Sequence, residues 1–129
     1  MGWLFIETTR PGEFRLGLLT PKDVKVKTFK GRSNSVLTRL SSLVKRTALS
    51  RLNGICVVCG PGSFTSVRTG VLIANILARK LKKPLVGINA EQAQDIAELV
   101  AKLSHGKLKR STYVKPMYDA EPNITLPSA

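Results

Sequence analysis

Only one histidine stands in the 129 residues, His105, and there are two cysteines. A hydrolytic zinc site ordinarily keeps three protein ligands. His105 lies among glycine and lysines in a loop-like stretch with no second imidazole to join it, so it reads as a solvent-facing side chain. A nucleophile–base pair is short of material for the same reason. Aromatics are sparse too: one tryptophan, two tyrosines and four phenylalanines. That balance suits a layered α/β domain better than a nucleic-acid module built on stacking. No run approaches the ~18 apolar residues that cross a membrane. The opening Met1-Gly2-Trp3-Leu4-Phe5-Ile6 is too short for a signal peptide and has no basic leader, and Ile6 stands where a myristoylation motif needs Ser or Thr. The expectation is a cytoplasmic protein of one domain, without membrane attachment, metal or cofactor.

Acidic residues are missing over a long stretch. Twenty-one basic residues face eight acidic ones, for a net charge of +13, and between Val24 and Ala90 there is no Asp or Glu. Such a field attracts polyanions and speeds their encounter. Direct contact with a nucleic acid is one reading; a generally basic proteome or an acidic protein partner is the other. The two cysteines, Cys56 and Cys59, are spaced C-x-x-C. That spacing fits a redox pair or half a zinc site, or two buried thiols on a strand, where residues three apart point to opposite faces. The run Ile55-Cys56-Val57-Val58-Cys59 favours the strand.

What is present is a clear alternation of elements. Trp3-Leu4-Phe5-Ile6 reads as a short buried strand, Glu13 to Leu19 as a second, and Val24 to Phe29 as a third with one wet face. Turn residues separate them, so an antiparallel meander is expected. Ser33 is placed to cap a helix from Asn34 to Thr47, with Val36, Leu37, Leu40, Leu43 and Val44 in one stripe. Asn53-Gly54 reads as the turn before a strand over 55–59 buried on both faces. A second helix then runs to Leu81 and is stopped by Lys82-Lys83-Pro84. Leu85 to Ile88 is a short strand, and Glu91 to Leu103 a third helix with the stripe Ala93, Ile96, Ala97 and Val100. The order β-β-β-α-β-α-β-α is that of an RNase H-like domain, the N-terminal half-unit of the actin-like ATPase (ASKHA) fold. Residues 1–103 would form it, and 104–129 a loop and tail.

The second helix is apolar nearly all round. Val67, Val71, Ala74, Ala78 and Leu81 make one row, while Leu72, Ile73, Ile76 and Leu77 occupy much of the rest. Such a helix is buried on more than one side. The sheet takes one side; the other is covered either by a partner protein or by the first helix and the tail. The partner reading is preferred. Gly70, Ala74 and Ala78, four apart, let another backbone approach, in the sheet or in a neighbouring helix.

Before that helix stands Gly60-Pro61-Gly62-Ser63-Phe64-Thr65. Its glycines permit a sharp turn, and Ser63 or Thr65 can cap the helix. Free N–H groups at a helix start also bind anions, so Gly60, Gly62, Ser63, Thr65 and Arg68 form an alternative phosphate loop. It is not a Walker A loop, because the lysine is absent.

The run Gly60-Pro61-Gly62-Ser63-Phe64-Thr65-Ser66-Val67-Arg68-Thr69-Gly70 resembles the G-P-G-S-F-T-G-[LV]-R-x-G signature of the TsaB (YeaZ-like, glycoprotease M22) family. The likeness continues through Ala74-Asn75 and Leu77-Ala78 to Pro84-Leu85-Val86-Gly87-Ile88. Ser66 replaces a usual glycine, and Glu7 stands where the family's opening strand carries aspartate. The resemblance implies an actin-like fold without catalytic residues. It implies a subunit that pairs with a TsaD-like transferase through its first two helices and, with a TsaE-like ATPase in the complex, serves threonylcarbamoylation of the adenosine beside the tRNA anticodon. The residues expected at that interface are Leu37, Ser41, Arg68, Leu72, Asn75, Ile76 and Arg79. Alone, such a chain could pair with itself. A basic tRNA-binding module, or a residual nucleotide-binding or peptidase-like protein, is the alternative. Relatives usually carry a second α/β domain after the third helix. Here a short segment leads to Pro116-Met117-Tyr118 and Pro122-Asn123-Ile124-Thr125, which looks like the end of longer relatives, so the chain reads as internally shortened.

Overall fold

The computed structural model describes residues 2–31, 33–45 and 51–117. The elements follow the expected order: β1 Gly2–Glu7, β2 Glu13–Leu19, β3 Val24–Lys30, α1 Ser33–Lys45, β4 Leu52–Gly60, α2 Phe64–Leu81, β5 Leu85–Asn89 and α3 Ile96–Ser104. They build one five-stranded sheet in the order β3-β2-β1-β4-β5. The meander β1-β2-β3 is antiparallel, while β4 runs parallel to both β1 and β5.

The most apolar strands lie in the middle because only there are both faces covered. Leu4 and Ile6 of β1 join Ile55, Val57 and Cys59 of β4 beneath α1 and α2. Trp3 and Phe5 join Cys56, Val58, Val86 and Ile88 on the opposite face, beneath α3. The period of two thus sends the two cysteines into different cores. Both are free and buried. Burial holds the Cys59 thiol above its ordinary value of 9.0, at about 11. Burial, with Cys59 nearby, pushes Cys56 higher still.

Several local expectations change. Asn53-Gly54 is not a turn but part of β4. A Cβ at Gly54 would meet the Trp3 ring and the Pro84 carbonyl, so glycine is there for close packing between strands. The third helix starts at Ile96 rather than Glu91. Asn89 and Gln92 exchange reciprocal 2.8 Å bonds that hold residues 89–92 in a turn. Asp95 then accepts from the Glu98 N–H at 3.1 Å, a true N-cap. The buried side of α3 is accordingly Leu99, Val100 and Leu103, and Ala97 is exposed. Strand β3 is largely exposed on both faces, not one; only Val26 and Phe29 are half-buried. On α1, Val36 and Leu40 are buried, but Leu37 points outward. Ser33 is the first residue of that helix rather than its cap. The helix end expected at Thr47 and the run Pro122–Thr125 lie outside the described residues.

After α3 the chain turns back along the sheet. Ser111 and Leu85 exchange backbone hydrogen bonds of 2.7 and 2.9 Å at the outer edge of β5. Val114 packs against the α1–α2 core, and the Met117 N–H donates to the Cys59 carbonyl at 2.6 Å.

Candidate functional site

The flank of α2 is divided between the chain itself and solvent. Val67, Val71, Ala74 and Ala78 lie on the sheet, and Ile73 and Leu77 join the same core. Gly70 belongs to the sheet side as well: a Cβ there would strike the Thr8 side chain at the end of β1. That settles the small-residue row in favour of the sheet. Asn75, expected at the interface, is turned to the chain's own tail. Its Oδ1 accepts from the Val114 N–H at 3.0 Å, and its Nδ2 donates to the Val114 carbonyl at 2.9 Å. The tail thus seals part of the flank.

The rest is open. Leu72 and Ile76 are 60% and 57% exposed, and Leu37 on neighbouring α1 is 57% exposed. Ser41, Arg68 and Arg79 are exposed as well. Leu72, Ile76 and Arg79 line a groove of about 890 Å³ whose far wall is the tail, through Arg110, Thr112 and Tyr113. Tyr113 is itself 61% exposed. Lys82 and Lys83 extend the basic rim at the end of α2. Sequence reasoning missed this wall, although Tyr113-Val114 is an apolar pair inside a lysine-rich segment. The result is an apolar floor with a positive border.

The glycine loop is packed by its own chain. A Cβ on Gly62 would meet the Thr9 backbone, and one on Gly60, whose φ is +122°, would meet the Met117 carbonyl. Ser63 occupies the N-cap position of α2 but makes no side-chain cap bond. Its backbone does the holding: its N–H donates to the Thr9 carbonyl at 2.9 Å, and its carbonyl accepts from Val67 at 2.8 Å. Thr65 does not cap either; its carbonyl accepts from the Thr69 hydroxyl at 3.0 Å. The loop is therefore a strand-to-helix turn locked between the end of β1 and the tail.

Two carboxylates that no sequence spacing pairs are brought together by the fold. Glu7 and Glu13 line one small cleft, but together with Arg10 and Arg15. Glu7 is ion-paired with Arg15 and accepts from the Thr9 hydroxyl at 3.2 Å. Glu13 pairs with Arg10 at 3.3 Å, and Asp23 pairs with Lys25 at 3.5 Å. Among the described residues, no three His, Cys, Asp or Glu side chains converge as metal donors do. Among the same residues, no helix is long and apolar enough to cross a membrane.

A family model described as TsaD, tRNA N6-adenosine threonylcarbamoyltransferase, matches residues 33–101. A curated tRNA N6-adenosine threonylcarbamoyltransferase from Fervidobacterium nodosum is 45% identical over 51 residues, 38% of this chain and 15% of the relative. YeaZ from Pseudomonas aeruginosa superposes with a TM-score of 0.62 at 22% identity, over 69% of this chain and 45% of that one. A Thermus thermophilus RuvC structure superposes with a TM-score of 0.57 at 11% identity, over 86% of this chain and all of that one. These likenesses establish the RNase H-like fold read from the element order, and the resemblance to YeaZ-type proteins read from the glycine loop holds. The chain spans less than half the length of the YeaZ structure and about a seventh of the curated relative.

Proposed function

This chain belongs to the TsaD (tRNA N6-adenosine threonylcarbamoyltransferase) family, and we propose that it works as a non-catalytic subunit. In this reading it docks on a TsaD-type transferase through α1 and α2 and supports threonylcarbamoylation of tRNA in the cytoplasm. A TsaE-type ATPase would join through the complex. The observation that carries the reading is the exposed apolar set Leu37, Leu72 and Ile76, on two adjacent helices of a domain with an otherwise well-filled core. Each large aliphatic side chain dried on docking contributes roughly 1.5–3 kcal/mol. Arg68 and Arg79 would border the contact, with Ser41 beside them, while Asn75 acts through the tail it holds.

The non-catalytic part rests on the sequence, which has a single imidazole and no nucleophile–base pair. Residues 1–103 are the docking domain in this reading and 104–129 its tail, which clasps the domain through Ser111, Val114 and Met117. Alone, the same face would pair two copies of the chain.

The test is capture of the transferase by the tagged full chain. The wild type should retain it, and Leu72→Glu with Ile76→Glu should abolish retention. An intact complex with both substitutions refutes the assigned face.

A further inference from the structure

A second surface lies on the other side of α1, where the helix faces the edge strand β3. Lys25 and Lys27 alternate with their neighbours so that both project to the α1 side of the sheet, in line with Phe29. Their pairing partners Leu18 and Leu16 face the α1–α2 core. Across from them, α1 contributes Arg39 and Ser42. These groups enclose a hollow of about 280 Å³ floored by Leu16, Gly17 and Leu43.

Phe29 organises the charges. It stacks on Phe14 at 5.4 Å between ring centroids, which fixes its plane. The Arg39 guanidinium lies 5.0 Å from the Phe29 centroid, and the Lys27 ammonium lies 5.9 Å from it. Two cations are thus drawn to one ring, and Lys25 stands two residues along, its exposed ammonium 3.5 Å from the Asp23 carboxylate at the rim. Among the described residues, neither Lys27 nor Arg39 pairs with a carboxylate, and no acidic side chain lines the hollow. Like charges gathered in this way repel one another until an anion enters between them.

We propose that this hollow, formed by Lys25, Lys27 and Arg39 around Phe29, is a binding site for a nucleic-acid phosphodiester backbone, that of RNA on the tRNA-modification reading above, on which this choice rests. Three features favour a phosphate strand over an acidic polypeptide. Residues two apart on a strand are about 6.8 Å apart, which suits consecutive phosphates on one nucleic-acid chain. A planar guanidinium beside a hydroxyl matches the oxygen-rich phosphate group. The positive field also continues past the hollow, since no Asp or Glu occurs from Val24 to Ala90. A long polyanion uses that field; a single carboxylate does not. The site lies on the β3 side of α1, away from the open groove of α2, and it stands independently of the docking face.

The test is fluorescence anisotropy of the full chain with labelled bulk tRNA at 50–200 mM salt. Lys27→Gln with Arg39→Gln should weaken binding about tenfold or more and lower the salt slope by about 2. Lys27→Arg with Arg39→Lys should retain binding, and unchanged thermal unfolding should show that both variants fold. The glutamine variant should still capture the transferase, which separates this site from the docking face. Unchanged tRNA affinity and slope in the glutamine variant would overturn the proposal. So would polyglutamate binding as tight as tRNA with the same loss in the variant, because the surface would then be a dock for an acidic protein.

Discussion

Asn75 and Val114 are joined by two reciprocal hydrogen bonds, from a helix side chain to a backbone 39 residues away. The asparagine gives the tail what a neighbouring strand would give: one acceptor for its N–H and one donor for its carbonyl. The tail is fastened to α2 by the side chain of a residue whose flanking positions Leu72 and Ile76 remain uncovered.

Replacing Asn75 with Ala should therefore release the tail. The Val114 N–H loses its partner in a half-buried place, at a cost of about 1–3 kcal/mol. Limited trypsin digestion should cut faster after Lys109 and Arg110 than in the wild type. Unchanged cleavage would mean that Ser111, Val114 and Met117 hold the segment without Asn75.

Leu72→Ser and Ile76→Ser should each leave stability within about 0.5 kcal/mol of wild type, because both side chains already face water. Val71→Ser, one position away but buried, should cost several times more by loss of buried apolar area and an unpaired hydroxyl. Urea denaturation of the three variants measures the contrast.

Gly70→Ala should destabilise the fold by about 1–3 kcal/mol, because the new methyl enters space filled by the Thr8 side chain. Thr8 also donates to the Ser66 carbonyl at 2.6 Å, so Thr8→Ala is costly alone. The obstruction is a side chain, however, and Thr8→Ala with Gly70→Ala should cost less than the sum of the two. Melting temperatures of the single and double variants test that coupling.

Alkaline pH should weaken the fold through Cys59. Its folded thiol titrates at about 11 against an ordinary 9.0, so the unfolded chain loses the proton first. The stabilisation is complete below pH 9 and declines as pH rises through about 11. Cys59→Val should flatten that part of the urea-midpoint profile between pH 8 and pH 11 relative to wild type. At neutral pH, a thiol reagent should label neither cysteine of the native protein, because both are buried and protonated.

Asp95→Ala should fray the start of α3 at a cost of about 0.5–2 kcal/mol. Asp95→Asn, which keeps the acceptor for the Glu98 N–H, should recover most of it. Thermal unfolding of the pair separates capping from charge.

What the sequence made legible was whatever depends on local period. The apolar run from Ile55 to Cys59 and the crowded circumference of α2 marked the central strand and the helix beside it. The split of Cys56 from Cys59 followed from strand geometry alone. The places that misled were governed by contacts between distant residues. Asn53-Gly54 has turn chemistry, yet Gly54 serves the Trp3 ring 51 positions earlier. Residues 91–94 carry helical spacing, but the Asn89–Gln92 exchange holds the preceding segment in a turn until Asp95 can cap. Asn75 looked like an outward polar residue because nothing local announces Val114. Ser63 has the residue type of a cap and the position of one, and its backbone alone is used.

The two margins of the sheet are treated differently. Ser111 clasps the outer side of β5, while β3, at the other margin, has no further neighbour among the described residues and is studded with Lys25, Lys27 and Lys30. Lysines along an open margin repel a second copy of themselves. A sheet stoppered at one end and electrically guarded at the other has no route to end-on stacking. At the high local concentrations that a crowded cell imposes, the same positive fringe that would welcome a nucleic acid also acts as a safeguard against fibrils.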